Sequence, residues 1–216
     1  MSESATPTTR RRETTRQRLL DAAAQVFAEV GLDAASVEAV CERAGFTRGA
    51  FYSNFESKDE LFLELSARVA RERVDAVTAR VAALEGEGRF DVAPGSAVQL
   101  VQQVMDVSSD DRLGVLLMAE IRIHALRDPQ LATAYLAQEA EVLVSIAQII
   151  DDISRAKDLE LRLPAQEAAR IMMTVFESCS VRAVMAGADA DEIRRRTSEE
   201  LGRATALIIS ARPSGR

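Results

Sequence analysis

Histidine occurs once in this sequence, cysteine twice and tryptophan not at all, and aromatics make up only 4% of the 216 residues. These scarcities remove whole classes of function. A metal centre needs His, Cys, Asp and Glu gathered at ligand spacing, and the sequence has no such gathering. Cys41 and Cys179 stand far apart, which argues against a disulfide framework and suits a reducing compartment. No Gly-rich phosphate loop follows a strand pattern, and the lone His124 has no cysteine near it in sequence to suggest a nucleophilic dyad. The chain therefore reads as a non-enzyme that needs no cofactor and no metal. No apolar run approaches the roughly 20 residues that span a bilayer. The N-terminus is polar and Arg-rich with no apolar stretch behind it, so a soluble cytoplasmic protein without membrane contact is expected.

What is present is material for helices. Hydrophobic residues make up 47% of the chain, and with so few aromatics the core must be Ala, Val, Leu and Ile. Only 5 Pro and 10 Gly occur, most of them between apolar-periodic segments, where they end helices without breaking them. No strand alternation and no internal repeat is visible, so the fold class expected is all-α. The net charge of −7 at first argues against a polyanionic partner. Its distribution matters more. Residues 1–70 hold nine Lys/Arg against eleven Asp/Glu, yet Arg10, Arg11, Arg12, Arg16 and Arg18 are gathered at one end. A basic arm on an acidic body can still bind nucleic acid.

Along the chain, residues 1–13 read as a disordered basic arm. From about Thr14 the positions Leu19, Leu20, Ala23, Val26, Phe27 and Val30 mark one helix face, stopped by Gly31. Ser36 caps a short helix, Val37 to Ala44, that Gly45 ends, and Thr47 caps a second through about Asn54. Two short helices about a Gly-containing turn have the spacing of a helix-turn-helix. Ser57-Lys58-Asp59-Glu60 is a capping box that opens the next helix. Beyond it, helices are expected at about 96–107, 111–126, 129–157, 164–186 and 191–211, with Pro129 and Pro164 at first helical positions. The organisation expected is a helix-turn-helix domain at 14–60 and a larger helical body at 61–216.

The segment from Ser36 to Leu61 makes physical sense as a DNA reader. Val37, Val40 and Cys41 pack the first short helix inward, and Phe46, Phe51 and Phe55 anchor the second. Thr47, Arg48, Gly49, Tyr52 and Ser53 are left facing outward. Gly49 inside a helix costs about 1 kcal/mol against Ala. Close approach to a base edge or phosphate is one reason to accept that cost; close approach of another helix is the alternative. Arg48 can bond guanine bidentately and Thr47 can touch a thymine methyl or a phosphate, while Tyr52 and Lys58 suit phosphate oxygens. Taken singly, each could be an ordinary solvated side chain. Together they form one consistent unit.

Residues from about Thr15 to Leu65 resemble the N-terminal domain of the TetR/AcrR regulators. The resemblance rests on Ala44-Gly45 at the turn, Thr47-Arg48-Gly49-Ala50, Tyr52-Ser53-Asn54-Phe55, and Ser57-Lys58-Asp59-Glu60-Leu61. Phe46 stands where the family usually has Val or Leu, and Phe51 is bulkier than the common Leu, but both stay apolar. The resemblance implies a repressor whose second short helix enters DNA. In it Thr47 to Gly49 approach bases, Ser36, Tyr52 and Lys58 hold phosphates, and Arg11 and Arg12 belong to the basic arm. It also implies an effector-binding body, a homodimer built on the last two helices, and a palindromic double-stranded operator.

The body carries no motif of its own. Ala168, Ile171, Met172, Val175, Cys179 and Arg182, with Ile193, Leu201, Thr205 and Ile208, could face a partner subunit or the protein's own core. Met105, Met118, Met172, Met173, Phe176 and Met185 lie in central helices, where flexible thioethers either line an apolar ligand site or fill ordinary core. Glu120 sits among Leu116, Leu117, Ile121 and His124, so its carboxylate needs a partner. That partner is His124 one turn on, or a cationic small-molecule effector. The opposing classes are a helical adaptor that binds protein through its helix-turn-helix, and a regulator with no small-molecule effector.

Overall fold

A computed structural model describes residues 7–87, 103, 112–157 and 159–211. Among them are eight helices: α1 (Pro7–Val30), α2 (Val37–Ala44), α3 (Arg48–Tyr52), α4 (Lys58–Gly86), α5 (Arg112–Arg127), α6 (Pro129–Ala156), α7 (Ala165–Met185) and α8 (Ala190–Ile208). The architecture is all-helical, with an N-terminal helix-turn-helix ahead of a helical C-terminal portion. No described helix is long and apolar enough to cross a membrane. The helix expected at 96–107 lies outside the described residues, Gln103 excepted.

Two compact units are present. The first draws on residues 1–69 and 116–135, the second on 70–115 and 136–216. The first is larger than the 14–60 expected of the helix-turn-helix, because part of α5 and the start of α6 pack with it.

In the first unit, Leu19, Leu20, Ala23, Val26 and Phe27 of α1 are buried, as are Val40, Cys41 and Ala44 of α2 and Leu61, Phe62 and Leu65 of α4. Phe27 meets Phe62 edge-on with ring centroids 5.9 Å apart. Burial of a side chain of this size contributes about 1.5–3 kcal/mol. Helix ends follow local chemistry. Ser36 Oγ accepts the Ala39 N–H at 3.0 Å, and Gly45 ends α2 with φ of 72°, in the left-handed region that glycine reaches without a Cβ clash. At α4, Ser57 Oγ accepts the Glu60 N–H at 3.1 Å. The Glu60 carboxylate reaches back one residue further than a standard capping box, to the Glu56 N–H at 2.5 Å.

α1 corrects an expectation. It starts at Pro7, so Arg10, Arg11 and Arg12 ride on a helix and do not form an irregular arm. Proline at the first helical position lacks only an N–H that would be orphaned anyway. The polar composition of the segment hid this start.

In the second unit α7 and α8 form the main pair. Val115, Ala183, Val184 and Ile193 share one buried cluster. Along α8 the buried positions Ile193, Thr197, Leu201, Thr205 and Ile208 recur every three or four residues, the period of one helix face. The last helix, expected to reach 211, stops at Ile208. Strand β2 (Ile209–Ala211) then pairs antiparallel with β1 (Leu159–Leu161) in the register Leu159 with Ala211 and Leu161 with Ile209. Three residues are too few to show a period-two pattern, so neither strand is legible from residue order alone.

Candidate nucleic-acid interface

Three elements carry exposed polar residues: the start of α2, the five-residue α3, and the α1 segment carrying Arg10 to Arg12. α3 is held from behind by Phe51 and Phe55, both buried, with ring centroids 5.7 Å apart. Thr47 caps it, its Oγ1 accepting the Ala50 N–H at 3.3 Å. Phe46, expected to anchor it as well, is only half-buried, and Arg18 lies over its ring at 4.8 Å. Thr47, Arg48, Gly49, Tyr52 and Ser53 all face outward, with Tyr52 51% exposed.

Gly49 separates the two readings left open by the sequence. A Cβ built there would meet nothing nearer than Thr47 Oγ1 at 3.7 Å, which is ordinary contact. Gly49 does not take the positive φ of Gly45 either. No helix among the described residues requires the glycine.

Arg48 is exposed but not solitary. Its Nη1 lies 2.7 Å from Oε1 of Glu38, in the first turn of α2, and its guanidinium lies 5.9 Å from the Tyr52 ring. Tyr52 first and Glu38 second push the guanidinium above its ordinary value, so it is a cation under all conditions of interest. Glu38 was not singled out from the sequence. A carboxylate one helix away is invisible to local pattern, although an acid in a first turn next to a proposed base-reading arginine is a usable sign.

Other predicted residues divide by their partners. Ser36 is exposed and serves the α2 cap. Arg11 and Arg12 are exposed. Arg16 and Arg18, gathered with them in sequence, are engaged inside the unit: Arg16 with Glu64 and the Asn54 carbonyl, Arg18 with the Ala44 carbonyl at 2.9 Å. Lys58 donates from Nζ to the Leu32 and Ala35 carbonyls at 2.7 and 3.0 Å. Two of its three ammonium donors thus fix the α1–α2 turn. Burial pushes the Cys41 thiol up, Glu38 adds to this, and Arg48 opposes it, which makes it a packing group and not a nucleophile.

The candidate effector residues divide between the two units. Met118, Glu120 and His124 belong to the first unit, Met172 and Phe176 to the second, and Met105 lies outside the described residues. Glu120 has partners within the protein. Its Oε2 accepts the Leu32 N–H at 3.2 Å and lies 3.6 Å from His124 Nε2. His124 is itself buried, edge-on to Phe62 at 5.7 Å. Met172, Met173 and Phe176 are half-buried, and Arg73 lies 5.9 Å from the Phe176 ring. Met185, grouped with the pocket methionines, is 81% exposed. A cavity of about 380 Å³ is lined by Cys179, Arg182, Ala183, Arg196, Glu199 and Glu200, none of them candidate effector residues. Among the described residues no group of His, Cys, Asp and Glu could hold a metal ion.

Residues 19–65 match the family model described as bacterial regulatory proteins, tetR family. The chain is 23% identical over 184 residues to the HTH-type transcriptional regulator UidR of Escherichia coli (strain K12), a match covering 85% of this chain and 86% of that protein. It is 25% identical over 171 residues to the HTH-type nicotine-responsive transcriptional repressor HdnoR of Paenarthrobacter nicotinovorans, covering 77% and 82%. Among solved structures, a TetR-family regulator from Mesorhizobium loti superposes with a TM-score of 0.70 at 21% identity, covering 93% of this chain and 98% of that one.

Proposed function

We propose that the chain, whose residues 19–65 match the tetR family of bacterial regulatory proteins, is a DNA-binding transcriptional regulator of that family, a homodimeric repressor released from a palindromic operator by a small-molecule effector. α3 enters the major groove. Arg48 donates to a guanine edge, Thr47 and Gly49 lie against bases, and Ser36, Tyr52, Arg11, Arg12 and Lys58 meet phosphates. The observation that carries this reading is the outward face of α3, where a glycine that the fold does not need sits beside an exposed arginine and tyrosine.

Dimerisation follows from reach. A five-residue helix covers only a few base pairs. Useful specificity therefore takes two copies, placed about 34–36 Å apart along one groove period. We assign the pairing to α7 and α8, where Met185 and Leu207 stand 81% and 73% exposed. A relative named as nicotine-responsive supports an effector of small organic type. The effector is placed among the helices between about 96 and 186. Its route to DNA is α4, whose residues through Val69 belong to the first unit and from Ala70 to the second. A coupling of about 1–3 kcal/mol is expected of such an effector.

The test is binding of the purified protein to duplex from its own upstream region across a salt series, followed by footprinting. Arg48→Ala is expected to relax preference at one base position per half-site by about 1–3 kcal/mol. Sedimentation is expected to give a dimer, and Met185→Glu with Leu207→Glu a monomer that loses the operator. Absence of any salt-dependent shift sinks the DNA reading, and a fully active monomer sinks the dimer.

A further inference from the structure

Glu38 poses a problem that the reading above does not absorb. It is an exposed carboxylate on the surface assigned to DNA, and phosphates repel it. Its Oε1 is nonetheless 2.7 Å from Arg48 Nη1, with the two side chains 56% and 61% exposed. An ion pair this exposed adds little to stability. Stability is therefore a poor explanation for a negative charge at this place.

Geometry supplies a better one. A guanidinium has five N–H donors in a fixed planar fork. With Nη1 turned to Glu38 and Tyr52 hydrogen-bonded to the same guanidinium, the fork is held in one orientation, and a fork held in place is what bonding guanine O6 and N7 together requires. The Tyr52 ring at 5.9 Å limits the guanidinium from another side. Glu38 itself stands in the first turn of α2, where the helix dipole favours a carboxylate, and Ser36 caps that helix. Both ends of the pair are thus set by short capped helices.

We propose that Glu38 is a specificity-determining residue: it holds Arg48 in position to read guanine and keeps that arginine from serving as a general phosphate contact. The inference rests on α3 being the DNA reader. On arbitrary duplex, Arg48 stays with Glu38 and the carboxylate repels the backbone, so nonspecific binding is weakened. On the operator, the oriented guanidinium turns to guanine without first losing Glu38. Specific binding is weakened much less, and the ratio of the two rises.

The experiment uses the full-length chain. Wild-type protein first enriches duplexes from a random pool. Affinities for the enriched duplex and for a scrambled duplex are then measured across a salt series for wild type, Glu38→Gln, Arg48→Ala and the double variant. Glu38→Gln is expected to bind scrambled duplex more tightly, with a salt slope steeper by about 0.9, the value of one added phosphate contact. Its preference for the enriched duplex is expected to fall about tenfold, the size of a weakened bidentate base contact. In the Arg48→Ala background the same change is expected to have no such effect on preference, because the effect passes through the arginine. An unchanged ratio and slope in Glu38→Gln overturns the proposal while leaving the DNA reading intact. So does an equal effect of Glu38→Gln with and without Arg48, which makes it bulk charge alone. A wild-type protein that enriches no duplex overturns the DNA reading and this inference with it.

Discussion

Glu120 of α5 accepts the Leu32 N–H at 3.2 Å, two residues after α1 ends at Val30. Its carboxylate also limits the turn sterically: a Cβ on Gly31, whose φ is 81°, would come within 3.2 Å of Glu120 Oε2. On the same side Arg127 Nη1 lies 3.3 Å from Asp33 Oδ2. The turn that sets the angle between α1 and α2 is therefore tied to α5 by a carboxylate 88 residues away in sequence. Glu120→Ala should lower the unfolding free energy of the full chain by about 1–3 kcal/mol, the cost of leaving a part-buried donor without its acceptor. Glu120→Gln, which keeps an acceptor, should lose less. Denaturant unfolding checks this, and equal stability of wild type and Glu120→Ala would contradict it.

Lys58 holds the other side of that turn. Its ammonium donates to the Leu32 and Ala35 carbonyls, so Lys58→Ala leaves two part-buried acceptors without it. Unfolding should show a loss of about 1–3 kcal/mol besides any weakening of DNA binding. A Lys58→Ala protein as stable as wild type would return the residue to the role of a free surface cation.

The parts of this structure legible in the sequence are those made by neighbours along the chain. Ser36, Thr47 and Ser57 cap the helices expected of them because a cap involves residues three apart. The expected helices 129–157 and 164–186 are found as Pro129–Ala156 and Ala165–Met185 because proline and apolar period mark them locally. What could not be read is made by chain-distant groups. The Arg48 to Glu38 pair, the Lys58 bonds, the Glu120 bond and the β1–β2 pairing all depend on which side chains the fold brings face to face. The arginine cluster shows the same limit. Five basic residues look alike in sequence, yet Arg16 and Arg18 are engaged with the protein and Arg10 to Arg12 lie on the exposed start of α1.

Acid should act on α8. Hydrogen bonds from Arg195 and then Arg196 lower the Glu192 carboxyl from 4.5 to about 2. A carboxyl lower in the folded than in the unfolded chain binds its proton more readily when unfolded. Its stabilising contribution is thus complete above about 4.5 and is lost as pH falls toward about 2. Thermal midpoints of wild type and Glu192→Gln should differ at neutral pH and converge through that window, with a smaller difference at high salt. A difference that stays constant down to the acid end would rule out this carboxyl as the titrating group.

Gly49→Ala gives the sharpest separation between folding and DNA reading. Within a helix alanine is favoured over glycine by about 0.8–1.0 kcal/mol, since the unfolded chain loses less freedom. At this position the added methyl meets only Thr47 Oγ1, at 3.7 Å, so nothing in the unit offsets the gain. The variant should be more stable than wild type in thermal unfolding. If α3 lies against DNA, the same methyl projects into the space a base edge or phosphate must occupy, and operator affinity should fall while stability rises. These opposite signs separate the reading from a structural role. A glycine kept for helix packing would lower both quantities together when replaced. A glycine with no role would raise stability and leave operator affinity unchanged, and that result would remove α3 residue 49 from the interface.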